Sequence, residues 1–275
     1  MYKIIDKEVL SENVVKLVIE NKLIAKNRKA GQFVMVKLGE EGERIPLTIA
    51  DSDVEKGTIT LIIQKVGVTS HKLFNMNAGD MITDLVGPLG RATHIEKVGT
   101  VIAAGGGVGI APLYPIAKAL KEAGNKVVVV LAARNESLII LEKEMKAFAD
   151  EVIVMTDDGS LGTKGLVTAG VEEVIKREQT NLCVAIGPAV MMKFVAILTK
   201  KYDLETVASL NTIMVDGTGM CGACRISVGG KTKFVCVDGP EFDAHKVDFD
   251  EMLKRLNAYT VVEKPAYNTY LESLK

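Results

Sequence analysis

The sequence predicts an antiparallel β-barrel over residues 1–95, a Rossmann-like α/β domain with a parallel sheet over residues 96–210, and a cysteine-bearing C-terminal region over residues 211–275. Three observations support this fold class. Short strand-like runs separated by turn residues fill the first third of the chain, which is typical of antiparallel barrels. Strand-like and helix-like runs then alternate, which predicts a parallel sheet. Three of the four cysteines cluster near the C-terminus.

The composition restricts the classes of function. The 275 residues suffice for two domains and an appendage, and the net charge is −1. A charge near zero and the absence of tryptophan argue against nucleic acid or a membrane surface as partners. The uncharged run 98–117 has the length of a membrane span, but its glycines and two prolines predict a buried strand, a loop and a helix start. The N-terminus lacks the apolar core of a signal peptide, so we expect a cytoplasmic protein.

The first part of the chain reads as short strands with one helical turn, over 70–75. Punctuation by glycine and proline over 87–90 marks the end of this part. The strand-like runs are 14–19, 32–38, 58–63 and 81–86.

The second part alternates strands and helices. A glycine loop, Gly105 to Gly109, lies between its first strand and first helix, where doubly wound folds bind a phosphate or a dinucleotide. The loop lacks the third glycine of GxGxxG, so the residues alone leave nucleotide binding and tight packing both open. We expect strands over 98–104, 126–131, 151–156, 181–186 and 206–210, and helices over 111–123, 137–149, 167–177 and 189–200.

The C-terminal motif reads D-x4-C-x2-C-x11-C and comprises Asp216, Cys221, Cys224 and Cys236. Plant-type [2Fe–2S] sites read C-x4-C-x2-C…C, so an aspartate stands at the position of the first thiolate. A carboxylate can ligate iron, and nearby glycines allow the backbone to wrap closely around a cluster. The same residues leave open a zinc site, a redox dithiol and a simple turn formed by the aspartate. Cys183 lies in an apolar run and is expected in the core.

The order of these motifs, over essentially the whole chain, resembles the ferredoxin–NADP⁺ reductase-like flavoprotein superfamily. Within it, the chain is similar to the small subunits of NADH-dependent reduced ferredoxin:NADP⁺ oxidoreductases, which have also been called sulfide dehydrogenase subunits. It also resembles the electron-transfer subunits of dihydroorotate dehydrogenases. Those subunits have four cysteines in this motif, whereas this chain has Asp216 in place of the first. The resemblance implies FAD, a [2Fe–2S] cluster and NAD(H) as cofactors.

The resemblance also assigns residues to these cofactors. The flavin motif R-x-Y-[ST] corresponds to residues 45–48, with Ile45 at the arginine position, Leu47 at the aromatic position and Arg44 one residue before the motif. The family's CGP corresponds to 186–188, with an isoleucine for the cysteine. The implied FAD residues are Arg44, Ile45, Pro46, Leu47, Thr48, Ile63, Gln64, Lys65, Thr69 and Ser70. The implied NAD(H) residues are Gly106, Gly107, Val108, Gly109, Arg134, Asp157, Asp158, Gly187, Pro188 and Met191. The implied metal ligands are Asp216, Cys221, Cys224 and Cys236.

The function implied is that of an electron-transfer oxidoreductase subunit. Electrons would pass between NADH, FAD and the cluster to a larger flavin and iron–sulfur partner subunit, which would reach ferredoxin and NADP⁺ by electron bifurcation. The tail 259–275 is a candidate docking element. Because cofactors carry such chemistry, no catalytic acid, base or nucleophile is expected. The alternatives are the electron-transfer subunit of a dihydroorotate dehydrogenase and a non-enzymatic, zinc-stabilised nucleotide-binding module.

Overall fold

The first sheet is an antiparallel barrel in a computed structural model that describes residues 1–274. Its elements are β1 Tyr2–Ser11, β2 Val14–Glu20, α1 Lys22–Asn27, β3 Phe33–Lys37, β4 Ile45–Asp53, β5 Thr58–Gln64, α2 Val68–Asn75, β6 Met81–Ile82 and β7 Asp84–Leu89. The strand order is β6-β1-β2-β5-β4-β3-β7, and only Thr83 separates β6 from β7. The sheet therefore closes on itself through one chain segment, and the predicted barrel class is confirmed.

The barrel contains one helix more than the sequence predicts. Helix α1 begins after Asn21, whose Oδ1 accepts a hydrogen bond from the N–H of Ile24 at 3.0 Å. This side-chain cap satisfies one of the unpaired donors of the first turn, which allows a helix of only six residues to form. Ile24 and Ala25 are buried against the barrel core.

The second sheet is parallel apart from one edge strand, as the β/α alternation predicts. Its order is β11-β10-β9-β8-β12-β13-β16, and only β13 and β16 pair antiparallel. Its elements are β8 Thr100–Gly106, α3 Ile110–Glu122, β9 Lys126–Ala133, α4 Glu142–Lys146, β10 Glu151–Thr156, β11 Thr163–Lys164, α5 Val167–Arg177, β12 Leu182–Ile186, α6 Ala189–Lys201, β13 Thr206–Ser209 and, from the C-terminal region, β16 Glu241–Asp243.

The helix predicted over 137–149 is wrong in extent. A 3₁₀ turn covers Glu136–Leu138, and α4 begins only at Glu142. Leu141 between them has φ 57°, which a helix interior does not allow, and Ile140 is buried in the core against α3. The apolar run 138–141 is therefore anchored as extended chain.

The C-terminal region packs onto the second sheet. Its remaining elements are β14 Arg225–Val228, β15 Lys231–Phe234, α7 Val235–Asp238, α8 Phe249–Leu256 and α9 Thr260–Ser273. Strands β14 and β15 form a hairpin whose turn glycines, Gly229 and Gly230, have φ 57° and 73°, as a two-residue primed turn requires. Cys224 and Cys236 belong to the same buried cluster as residues of β8, β12 and α6. Residues 1–274 contain no helix with the length and apolar character needed to cross a membrane.

Candidate functional site

A cleft of about 2160 Å³ opens between the barrel and the carboxyl ends of the parallel strands. Open α/β sheets bind ligands at this edge, because helix N-termini and strand ends meet there. The barrel, the parallel-sheet domain and the C-terminal region all contribute walls. The sequence-predicted residues that line it are Arg44, Ile45, Pro46, Leu47, Thr48, Gln64, Thr69, Ser70, Gly106, Gly107, Val108, Gly109, Arg134, Asp157, Gly187, Pro188 and Met191.

The start of β4 forms part of the barrel side of the cleft. Arg44 is exposed just before the strand, and residues 45–48 are half-buried. Thr48 pairs in register with Phe33 of β3, and both residues line the cleft. The predicted hydroxyl residue therefore lies at the cleft wall, beside an aromatic ring that the sequence did not single out.

Two of the residues assigned to the strand before α2 lie away from the cleft. Ile63 is 1% exposed and packs in the barrel core, because successive strand side chains point to opposite faces and its neighbours Ile62 and Gln64 face the cleft. The Lys65 ammonium lies 4.5 Å from the centroid of the Phe74 ring, a cation–π contact on the barrel surface.

The turn into α2 presents backbone more than side-chain donors. The Ser70 hydroxyl accepts hydrogen bonds from the N–H groups of Val66 and Gly67, both at 3.0 Å, and donates to the Gly67 carbonyl at 3.1 Å. It therefore shapes the turn. The first N–H groups of a helix have no partner within it, so the start of α2 can bind an anion through its backbone.

The glycine loop, residues 105–109, is packed tightly against the segment that follows β12. A Cβ on Gly106 would lie 2.2 Å from Met191 Sδ, and one on Gly109 would lie 2.5 Å from the Ile186 carbonyl oxygen. A Cβ at Gly109 would therefore require a backbone shift, whereas one at Gly106 would require the Met191 side chain to move. Residues 107–109 form a 3₁₀ turn that leads into α3, so the loop packs tightly and also lines the cleft, and nucleotide binding by its residues stays a prediction.

The carboxyl ends of β9 and β10 lie side by side. Asp157 donates its N–H to the Ala133 carbonyl at 3.1 Å, and Asp158 donates to the Arg134 carbonyl at 3.2 Å. Arg134 and Asp157 line the cleft. Asp158 lies outside the cleft. Its Oδ1 accepts hydrogen bonds from the Ser160 hydroxyl at 2.6 Å and from the Ser160 N–H at 2.9 Å. These bonds, led by the hydroxyl, lower the pKa of Asp158.

The cluster loop, residues 216–224, is organised by Asp216. Its Oδ1 accepts the N–H of Thr218 at 2.7 Å and its Oδ2 accepts the N–H of Cys221 at 2.8 Å. The Thr218 bond is the main reason that the pKa of Asp216 lies below its usual value. Gly217 has φ 78° and Gly219 has φ 90°, so the loop turns where side chains rarely can.

Two of the three cysteines of the motif are buried together. Cys224 donates its thiol to Cys236 Sγ across 3.2 Å, and the N–H of Cys236 points to Cys224 Sγ at 3.5 Å. Burial, followed by the contact with Cys224, raises the pKa of Cys236 to about 12. Cys221 is exposed, and the N–H of Ala223 points to its Sγ at 3.5 Å.

The donor set fits a metal cluster in part. Two sulfurs held tetrahedrally on one metal at about 2.3 Å lie about 3.8 Å apart. The sulfurs of Cys224 and Cys236 are 3.2 Å apart, so they would have to separate slightly to bind one metal. Both carboxylate oxygens of Asp216, however, are turned to the loop backbone. Within residues 1–274, no three side chains of His, Cys, Asp or Glu converge on one point as a metal site requires. The pair of buried thiols is therefore preformed, and the four-ligand set stays a prediction.

A buried carboxyl joins the three parts of the chain near the cluster loop. Glu241 of β16 accepts a hydrogen bond from the Thr93 hydroxyl at 2.5 Å, beside Gly31 of the barrel. Burial raises its pKa to about 7, although the Thr93 bond acts in the opposite direction. Two residues earlier, the Gly239 carbonyl accepts the N–H of Arg91 at 2.7 Å. The segment after the barrel is thus tied to the C-terminal region.

The wall of the cleft that the C-terminal region forms was not predicted from the sequence. Residues 209–215 follow β13 into the cleft, and Arg255, Glu263, Lys264 and Tyr267 line it from α8 and α9. Arg255 donates to the Ala223 carbonyl at 2.9 Å, inside the CxxC. A chain-end helix of mixed polarity carries no motif, so no sequence signal pointed to these residues.

Models of three known domain families match the chain in the order of its three parts. An oxidoreductase FAD-binding domain matches residues 1–94, and an oxidoreductase NAD-binding domain matches residues 104–196. The iron–sulfur cluster binding domain of dihydroorotate dehydrogenase B matches residues 211–248. The chain thus carries domains of families that bind FAD, NAD and an iron–sulfur cluster, which agrees with the predicted cofactors.

Whole-length relatives agree with these matches. A homolog of the electron transfer subunit of dihydroorotate dehydrogenase B (NAD⁺) from Thermotoga maritima is 47% identical over 98% of this chain and 96% of its own length. The electron transfer subunit from Bacillus caldolyticus is 34% identical over 88% of this chain and 95% of its own.

A solved structure from a study of flavin-based electron bifurcation by the NADH-dependent reduced ferredoxin–NADP oxidoreductase superposes with a TM-score of 0.94. It is 46% identical and the match covers 98% of both chains. The agreement extends over the barrel, the parallel sheet and the C-terminal region alike. The chain therefore belongs to the ferredoxin–NADP⁺ reductase-like family of flavin- and iron–sulfur-binding electron-transfer subunits.

Proposed function

We propose that this chain moves electrons between NADH, FAD and a [2Fe–2S] cluster, and exchanges them with a larger flavin and iron–sulfur subunit. The observation that carries the proposal is the composition of the cleft wall. Ala223, within the CxxC, lines the same cleft as Gly107 of the glycine loop and Thr69 at the start of α2. A single cavity therefore gives access to the three regions where the three cofactors are expected.

The chain's own residues bind and orient. The start of α2 and Arg44 provide donors for the diphosphate of FAD, and Thr48 lies at the barrel wall beside it. The glycine loop and the N-terminus of α3 provide the corresponding donors for the diphosphate of NAD(H). When bound, FAD accepts a hydride and releases single electrons, and an iron–sulfur cluster carries single electrons onward. The proposed ligands for the cluster are Asp216, Cys221, Cys224 and Cys236.

The residues at the carboxyl ends of β9 and β10 affect whether NADH or NADPH is the electron donor. Asp157 places a carboxylate in the cleft next to the end of β9, where it would repel a 2′-phosphate. Arg134 in the same place would attract one. The two charges offset each other, and Lys164, the next cation at this edge, lies beside Asp158 outside the cleft, so we propose NADH as the donor. Met191 packs on Gly106 and Gly187, which supports assigning its thioether to the floor of the proposed nicotinamide site.

The partner follows from the similarity to the solved structure of the NADH-dependent reduced ferredoxin–NADP oxidoreductase. In an equivalent complex, the larger subunit would carry the reactions with ferredoxin and NADP⁺. The side of the tail away from the cleft offers apolar surface for docking, since Val261 and Val262 are 83% and 69% exposed.

The test is anaerobic titration of the purified chain with NADH and, separately, with NADPH, followed by low-temperature EPR spectroscopy and iron analysis. Bleaching of flavin absorbance by NADH, together with the signal of a reduced [2Fe–2S] cluster, is the expected result. Bleaching without that signal would limit the chain to flavin chemistry. Folded protein with zinc and no flavin would support the zinc-stabilised module and overturn the proposal.

The second candidate is the electron-transfer subunit of a dihydroorotate dehydrogenase. The match of residues 211–248 to the dihydroorotate dehydrogenase B iron–sulfur domain favours it. Asp216 in place of a fourth cysteine argues against it. Co-purification with the native partner separates the two, because dihydroorotate would reduce the flavin of one complex and not of the other.

A further inference from the structure

The C-terminal helix α9 lies over the mouth of the cleft with very little packing of its own. None of its fourteen residues is buried. Beyond its first residue, only Tyr267, Tyr270 and Leu271 are even half-buried. A helix of this length is marginal in water when alone, and Pro265 removes one of its hydrogen bonds. The position of α9 must therefore depend on the few contacts that its residues 267 and 270 make.

Those contacts are made with α2 of the barrel. The Tyr267 hydroxyl lies 2.9 Å from His71 Nδ1, a hydrogen bond between residues 196 positions apart. The His71 ring also meets the edges of Tyr267 and Tyr270, with centroids 5.9 Å and 5.5 Å away. The ammonium of Lys72 lies 5.8 Å from the centroid of Tyr270. We call this group, residues 71, 72, 267 and 270, the clasp.

The clasp fastens α9 next to the turn expected to hold the FAD diphosphate. His71 follows directly on Thr69 and Ser70, whose turn lines the cleft. From the opposite side, Glu263, Lys264 and Tyr267 of α9 line the same cleft. The helix thus lies between α8, whose Arg255 contacts the cluster loop, and α2, which it contacts through residues 267 and 270.

We propose that α9 is a strap that retains FAD, with the bond between Tyr267 and His71 as its fastening. The part of FAD that it covers is the adenosine diphosphate half, because the diphosphate is assigned to the start of α2. A ligand bound under the helix contacts both the helix and the cleft wall, so FAD and the docked strap stabilise each other. This inference rests on the proposed position of FAD in the cleft.

The test measures the rate at which FAD leaves the full-length holoprotein, from the rise of free-flavin fluorescence after dilution to a concentration at which released FAD does not rebind. Tyr267→Phe removes the hydroxyl and keeps the ring, and we expect release about fivefold faster, the loss of one hydrogen bond. A chain ending at residue 258 should release FAD about tenfold faster or more, since every strap contact is gone. Bound FAD should also slow proteolytic cleavage within α9.

Tyr202→Phe is the matched control, because it removes an exposed hydroxyl that is bonded to Glu172 at 2.7 Å, and neither residue lines the cleft. Equal release rates for the full-length and shortened chains would overturn the strap and leave the proposed function intact. Faster release from Tyr202→Phe as well would assign the effect to general destabilisation and overturn the fastening. A full-length chain that binds no FAD would instead refute the proposed function itself.

Discussion

The two glycine-bearing loops of this chain are held in shape by different contacts. In the glycine loop, residues 105–109, a Cβ on Gly109 would lie 2.5 Å from the Ile186 carbonyl oxygen and 2.6 Å from Gly187 Cα, which are backbone atoms. In the cluster loop, residues 216–224, the atoms nearest to a Cβ on any of the three glycines belong to side chains, and the Asp216 carboxylate accepts two backbone N–H groups of the loop. Backbone packing therefore fixes the first loop, whereas side-chain contacts and one carboxylate shape the second.

The difference shows how each site depends on its ligand. Packing holds the glycine loop in its binding shape whether or not a nucleotide is present. The cluster loop has two preformed sulfurs, while Cys221 is exposed and Asp216 is engaged with backbone. Its final ligand geometry therefore depends on the metal, as in many sites where metal binding is coupled to folding.

The largest effect is expected when a buried cysteine of the C-terminal motif is replaced, while the glycine loop should keep its function. Cys236→Ser removes a buried sulfur of the preformed pair, so iron content and the reduced-cluster EPR signal should fall to background. FAD and the NADH-dependent bleaching of its absorbance should remain, because the glycine loop packs independently. Cys183→Ala is the control, since Cys183 is also fully buried but lies in β12. A cluster retained in Cys236→Ser would show that the pair is structural.

The next effect concerns Glu241, in the seam where the barrel, the segment after it and the C-terminal region meet. Its folded-state pKa of about 7 lies above the ordinary value of 4.5, so the stabilising protonated form is fully present below pH 4.5. That contribution, about 3 kcal/mol, is lost as the pH rises through 7. Glu241→Gln keeps the contact with Thr93 without the charge, so its melting temperature should exceed that of the native chain at pH 8.5 and match it at pH 5.

Glu55→Gln, on the exposed turn between β4 and β5, controls for the loss of one carboxylate. The comparison is made as the difference in melting temperature between variant and native chain at each pH, so that other titrating groups cancel. A Glu241→Gln difference that is the same at both pH values would mean that the carboxyl is solvated and that the seam is open.

Sequence reasoning reached those parts of the molecule in which a pattern repeats. The β/α alternation and the regular barrel strands were predicted because apolar residues recur with the period of the element. Strand β1 escaped because it is bulged between Ile4 and Asp6 and exposed along much of its length. The pair Ile62 and Ile63 is apolar at both positions, so the sequence could not say which one faces the cleft. The strap α9 has no pattern, since tertiary contacts alone define its place.

The third effect tests the packed loop. Gly109 has φ −62°, so its backbone suits any residue, and Gly109→Ala is opposed by the approach of the new Cβ to the Ile186 oxygen at 2.5 Å and to Gly187 Cα at 2.6 Å. We expect a loss of roughly 2 kcal/mol in stability and weaker NADH binding. Gly67→Ala is the matched control, because no atom lies within 4 Å of its Cβ position. Equal melting temperatures for the two variants would contradict a loop fixed by packing.

The smallest and most informative effect is expected at Asp216, whose two possible roles predict different outcomes. If the carboxylate only holds the loop, Asp216→Asn retains one acceptor for the backbone, and the iron content and EPR spectrum should match those of the native chain. If it ligates iron, Asp216→Ala should lower the iron content several-fold, while Asp216→Cys should keep the iron and change both the EPR spectrum and the reduction potential, because a thiolate is a softer donor. We expect the second pattern. It would mean that the carboxylate exchanges its bonds to Thr218 and Cys221 for the metal, so that the loop held by one side chain rearranges on loading while the packed loop stays as it is.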